Sequence, residues 1–166
     1  SMYFLAEKIH RKFYGSYTIV VVLDREELET QIYKNFTAVG AIKDKSLLAK
    51  TRDHLRELLK ENHKYVFTLI HKFSTNKDEK DFPLLSERKD IIVISDEAHR
   101  TQGGVYARNM RFKALPNASY IGFTGTPIIS GEEEITKNIF GEYISIYDFK
   151  SSIRDGATLP LTYLNR

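Results

Sequence analysis

Four short runs of β-branched and apolar residues, separated by stretches with helical period, constrain this chain more than anything else in it. Thr18 to Leu23, Tyr65 to Ile70, Asp90 to Ser95 and Ser119 to Phe123 are apolar almost throughout, without the polar alternation of a half-exposed strand. Runs of this kind are strands covered on both faces, and strands alternating with helices build an α/β domain with a mainly parallel sheet. All four are therefore expected to be central strands.

The segments between them carry helix signals. Leu28, Ile32 and Phe36 repeat every fourth residue behind Asp24-Arg25-Glu26-Glu27, a variant of the capping box. Leu55, Leu58 and Leu59 mark a second amphipathic helix from Thr51 to Glu61, and a shorter one over Ala107 to Leu115 stops at Pro116. Ser1 to Phe13 has a helical pattern with no strand or cap before it, so the chain is expected to begin inside a domain. Helices are also expected over Gly131 to Phe140 and Phe149 to Asp155, and a last strand over Leu161 to Leu164. Ser74 to Lys89, rich in Lys, Asp, Glu and Ser, reads as a solvated excursion.

Composition excludes several classes. At 166 residues the chain has room for one domain, and 42% hydrophobic residues suffice for a core. Without cysteine there is no disulfide, thiolate metal site or cysteine nucleophile, which fits an intracellular, cytoplasmic protein. The five histidines have no metal-ligand spacing, and His10, His54, His63 and His71 are given no role. The longest apolar runs fall far short of the roughly 18 residues needed to cross a bilayer. A net charge of +3 permits an anionic partner but identifies none.

Two motifs carry chemistry. Asp96-Glu97-Ala98-His99 directly follows the most hydrophobic strand, and in open α/β sheets ligands bind beyond the carboxyl ends of strands. A first acid there can organise Mg²⁺, usually through water, while a second orients or deprotonates a water attacking a γ-phosphate. Thr124-Gly125-Thr126-Pro127 follows the next strand in the same way; Gly125 allows a tight turn and the two hydroxyls can bond a carboxylate or phosphate. Alone, the second motif reads as a turn, and in the unit beside an Asp-Glu-Ala-His it corroborates the first.

Asp96 to Arg100 and Phe123 to Pro127 resemble motifs II and III of superfamily two helicases and translocases. Val22 to Arg25 with Leu28 and Gln31, Thr68 to Phe73, Ile92 to Gln102, and Leu115 to Ile128 are similar to the motor subunit of type I restriction enzymes. So is the tail, Phe140 to Asp148 with Asp155 to Pro160. The resemblance implies a three-layer RecA-like P-loop domain, with residues 1–166 forming part of the first motor domain and residues 141–166 leading toward a second. It implies an ATP- and Mg²⁺-dependent translocase on double-stranded DNA that works beside modification and specificity subunits, with cleavage by a separate nuclease domain. By the same carry-over Asp96 helps hold Mg²⁺, Glu97 activates water, and His99 couples ATP to DNA. Thr124, Gly125 and Thr126 join the ATP site to the DNA-facing side, while Arg25, Thr68, Lys72 and Arg100 border the DNA path.

No glycine of the nine opens a G-x-x-x-x-G-K-[ST] phosphate loop, a departure from that family's pattern. A chain starting just after such a loop explains both this and the uncapped opening helix, and such a chain is expected to be inactive alone. A second motor domain, expected to supply the arginine that stabilises transition-state charge, is equally needed. The rival readings are a different superfamily two DNA helicase and a non-catalytic DNA-binding or assembly module. Among weaker signals, Glu87-Arg88-Lys89 and Asp78-Glu79-Lys80 match half of a nuclease site but read as solvated charge, as do Glu132 to Glu134 at a helix start. Arg100, Arg108, Arg111 and Lys113 form a basic stripe that could track phosphates, though surface helices commonly look alike.

Overall fold

The structure is a computed structural model that describes residues 2–38, 40, 42, 47–96, 104–124, 133–157 and 159. Its centre is a four-stranded, all-parallel sheet in the order β2-β1-β3-β4. The strands are β1 (Thr18–Leu23), β2 (Tyr65–Leu69), β3 (Ile91–Ser95) and β4 (Ser119–Gly122). The helices are α1 (Met2–Lys12), α2 (Glu26–Ala38), α3 (Arg52–Lys60), α4 (Val105–Arg108), α5 (Glu133–Phe140) and α6 (Phe149–Arg154). The expected strand and helix bounds hold to within a residue or two; the Leu161 to Leu164 strand lies outside the described residues.

Alternation within buried strands sorts the core into two halves. Val20 and Val22 of β1, Val66 of β2, and Ile91 and Val93 of β3 pack on one face with Leu55, Leu58 and Leu59 of α3. Ile19, Val21 and Leu23, with Tyr65, Phe67 and Ile94, pack on the other with Met2 and Ala6 of α1 and Tyr33 and Phe36 of α2. Three layers result. Phe36 anchors the second face edge-on to Tyr65 and Phe67, with ring centroids 5.2 and 5.3 Å apart. Glu7 fastens α1 to the start of β2 by accepting from Lys64 Nζ at 2.7 Å and Tyr65 Oη at 2.6 Å. The Thr51 hydroxyl caps α3 by accepting from the His54 amide at 3.1 Å.

Three expectations are corrected. Only β1 and β3 are central; β2 is an edge strand that is nonetheless buried, and β4 is an edge strand with exposed and half-exposed residues. Four residues of near-uniform hydrophobicity cannot reveal which neighbour a strand lacks.

Ser74 to Lys89 is a strap over the core rather than a solvated excursion, because Phe82 and Leu85 are buried in the first half of the core. Arg52 stacks over the Phe82 ring and forks onto Glu79, whose Oε2 accepts at 2.6 Å, so the charges hold the strap down. The helix expected over Ala107 to Leu115 starts earlier, as α4, and then widens into a π-helix over Asn109–Ala114.

At the amino edge, Arg88 reaches four partners from the strap's end. It pairs with Asp90 at 2.9 Å and donates to Thr18 Oγ1 at 2.9 Å and the Glu61 carbonyl at 2.7 Å. Its contact with Asn62 Oδ1 is 3.2 Å. The residue read as half of a nuclease motif is thus a clamp joining β1, β3 and the α3–β2 turn.

Candidate active site

The strand order reverses at β1: the chain crosses to β2 on one side, then returns to place β3 and β4 on the other. Such a switch point leaves a crevice beyond the carboxyl ends of the two central strands, where ligands of open α/β sheets bind. Val22 and Ser95 are register partners, so the residue after Ser95 emerges into that crevice.

That residue is Asp96. Its amide donates to the Val22 carbonyl at 3.1 Å, and on the opposite side the Phe123 amide donates to the Ser95 carbonyl at 2.8 Å. The carboxyl end of β3 is pinned from both neighbours by main-chain bonds. Thr124, exposed, follows Phe123 and stands at the same edge. Asp96 lines a cleft of about 470 Å³ with Met2, Tyr3 and Phe4 of α1, Ile32 and Phe36 of α2, and Phe123. Glu97, His99, Arg100, Gly125 and Thr126 lie outside the described residues.

A second cleft, of about 650 Å³, opens at the carboxyl end of β2. Glu26 and Glu29 of α2, Lys50 and His54 at the start of α3, and Leu69 and Lys72 line it. Lys72 sits on a 3₁₀-helix over Ile70–Phe73 and donates to the Lys50 carbonyl at 2.6 Å. The Lys50 amide in turn donates to His54 Nδ1 at 3.2 Å, which fixes that ring. Burial pushes the Glu29 carboxyl above its usual value, with Lys72 opposing and Glu26 assisting the rise. His71 is held below the ordinary histidine value by burial and then by Lys72. The Thr51 cap was the sequence signal that could have placed His54 at this cleft.

Arg25 is exposed and lies 3.7 Å from Asp24 between the two clefts' elements, at the end of β1. Thr68 is corrected: it is fully buried within β2, so its hydroxyl borders no surface path. Two members of the basic stripe are spent on the protein itself. Arg111 stacks 4.7 Å over Tyr120 and donates to the Pro116 carbonyl, and Lys113 pairs with Asp81 at 2.8 Å.

Among the described residues no group of three or more histidines and carboxylates converges to hold a metal. A lone carboxylate beside an open cleft still fits Mg²⁺, which keeps several waters and takes one or two protein carboxylates together with substrate phosphates. No helix of the described residues is long and apolar enough to cross a membrane.

The family model of the SWI2/SNF2 ATPase matches residues 1–166. The chain is 48% identical over 161 residues to the type I restriction enzyme HindI endonuclease subunit of Haemophilus influenzae, covering 88% of this chain and 15% of that subunit. It is 31% identical over 157 residues to the type I restriction enzyme SauCOLORF180P endonuclease subunit of Staphylococcus aureus, covering 89% of this chain and 16% of that one. The resemblance to restriction subunits carried by the motifs is borne out, and the chain spans about 15% of the length of these relatives.

Proposed function

This chain belongs to the SWI2/SNF2 ATPase family, and on that premise we propose that it forms part of an ATP-driven motor that moves double-stranded DNA in a type I restriction enzyme. The observation that carries the reading is the placing of Asp96 at the switch point between β1 and β3, pinned to Val22 at one side and flanked by the β4 exit at the other.

In this reading Asp96 holds Mg²⁺, and Glu97 orients and deprotonates the water that attacks the γ-phosphate. Bound Mg²⁺ supplies charge neutralisation at the phosphates. His99, with Thr124, Gly125 and Thr126, relays the state of the nucleotide toward the DNA-facing side. Arg25, Lys72 and Arg100 border the DNA path, and Thr68 supports it from within β2. A second RecA-like domain completes the motor, modification and specificity subunits set where it acts, and the assembly works in the cytoplasm.

The test is DNA-stimulated ATP hydrolysis by the full-length subunit carrying this sequence, beside its Glu97→Gln variant. The reading expects hydrolysis that rises with double-stranded DNA and falls by about 100-fold or more when the general base is lost. Failure of the unaltered subunit to hydrolyse ATP with any DNA would leave the assembly-module reading as the better one.

A further inference from the structure

The segment joining β3 to β4 contains a secondary structure that ordinary packing does not require. After α4 the backbone widens into a π-helix over Asn109–Ala114, closed by the Leu115 amide donating to the Met110 carbonyl at 3.0 Å. A π-turn carries one more residue per hydrogen-bonded loop than an α-turn and occurs mainly at functional positions. It persists here because its carbonyls have other work. The Tyr120 hydroxyl lies 3.0 Å from the Met110 carbonyl and 2.9 Å from that of Leu115, and the strap's Leu85 and Ser86 amides donate to the Ala114 carbonyl.

The first residue of this π-helix makes a contact across the fold. Asn109 Nδ2 donates to the Phe73 carbonyl at 2.8 Å, at the end of the 3₁₀-helix that carries Lys72. Lys72 bonds the Lys50 carbonyl and lines the second cleft. One amide group therefore links the segment that continues from Asp96 to the segment that shapes a cleft on the far side of β1.

We propose that Asn109 is a positioning residue for the motor reaction: it ties the acidic loop after β3 to the Lys72 segment after β2, and the π-helix is the two-state element through which that tie is set. Reversion of the π-turn to an α-turn displaces the register by one residue, which turns the side chains before it by roughly 100° relative to those after it. The Asn109 to Phe73 bond cannot survive such a turn, so a change at the acidic loop is read at Lys72 as a discrete step. A packed element with two arrangements is the physical requirement for coupling between separated sites. This inference rests on the proposed function, in which the loop after Asp96 handles ATP and Lys72 borders DNA.

The experiment compares the full-length subunit with its Asn109→Ala, Asn109→Gln and Tyr120→Phe variants, measuring ATP hydrolysis with and without linear double-stranded DNA, together with thermal midpoints. Asn109→Ala is expected to lower the ratio of DNA-stimulated to basal rate by about 5-fold or more, the lower end of ordinary coupling. Basal rate and the KM for ATP stay in place. Asn109→Gln, which keeps the amide donor on a longer arm, recovers part of the ratio. Tyr120→Phe, which keeps the ring under Arg111 and removes only the hydroxyl, shifts the ratio in the same direction as Asn109→Ala. Equal loss of basal and stimulated rates in Asn109→Ala, or an unchanged ratio in both Asn109→Ala and Tyr120→Phe, overturns the inference by reducing Asn109 to a structural contact. A parent subunit that DNA does not stimulate overturns the motor reading itself, and the inference with it.

Discussion

The Asp96 amide is bonded to the Val22 carbonyl at 3.1 Å, and this bond belongs to the main chain rather than to the carboxylate. Position and chemistry are thereby separable at this residue. Asp96→Asn in the full-length subunit should leave the thermal midpoint within about 2 °C, as for substitutions that remove no core contact. It should also cut ATP hydrolysis by about 100-fold or more, through loss of metal-held charge at the phosphates. Calorimetry and a phosphate-release assay check the two halves. A large drop in the midpoint would mean that the carboxylate serves the fold.

The Arg88 clamp predicts a stability effect at the opposite edge of the sheet. Its guanidinium is mostly buried among Asp90, Thr18 Oγ1 and the Leu59 and Glu61 carbonyls, so Arg88→Ala leaves several acceptors without a donor. The expected cost is about 2–3 kcal/mol, the range for charged hydrogen bonds with partial exposure. Urea titration followed by circular dichroism measures it. Arg88→Lys should recover only a small part, since one ammonium cannot reach partners spread around a planar fork.

Why the strap was misread follows from the same chemistry. Charge density marks solvent in most segments, and Ser74 to Lys89 has it; yet Phe82 and Leu85 are buried and the charges are paired inward. Three of the four strands, by contrast, were legible because uniform hydrophobicity over five or six residues has few other solutions. The acidic motif was legible because its position after such a strand dictates the crevice. The π-helix was not, since its stability comes from Tyr120 and the strap, partners distant in sequence. The second cleft escaped for a similar reason: Glu29, Lys50 and His54 belong to two helices whose approach only the fold decides.

The strap makes its own prediction. Phe82→Ala removes a buried ring that packs against Phe73 and carries Arg52 on its face, and should cost about 3–5 kcal/mol. Leu84→Ala, two residues on and 42% exposed, should cost under about 1 kcal/mol. Paired urea titrations decide between a strap that seals the core and one that merely lies on it, because the latter would give two small and similar values.

Acid should destabilise the fold, with a sign set by its carboxylates. Hydrogen bonds from Lys64 and Tyr65 hold Glu7 below the ordinary glutamate value, and Arg88 holds Asp90 below the ordinary aspartate value. A depressed folded pKa means that the unfolded chain binds protons first as pH falls. The stabilisation is complete above the ordinary values of 4.5 and 3.8 and disappears as pH drops through the lower folded ones. His10, whose folded value is lowered chiefly by burial, adds a loss that begins below 6.5. Thermal midpoints should therefore fall from neutrality downward, first gently and then steeply below about pH 4.5. Glu7→Gln should flatten the steep limb, and an unchanged limb would remove Glu7 from the account.

The outer edge of β4 supplies the last prediction. Among the described residues no strand pairs with that edge, and Ser119–Gly122 is partly exposed, whereas β1, β2 and β3 are buried. A parallel sheet ending in an open strand presents unpaired amides and carbonyls that template association with another chain. The 166-residue chain on its own should thus form dimers or larger species as its concentration rises. Ile121→Pro removes one edge donor or breaks the β3 ladder, depending on which way the amide faces, so it is a poor probe. Tyr120 is also unsuitable, because its hydroxyl holds the π-helix. Ser119→Lys, at the exposed end of the strand, adds charge to the edge without touching the core, and should shift multi-angle light scattering toward the monomer mass. A parent chain that stays monomeric at high concentration would show that the β4 edge is covered.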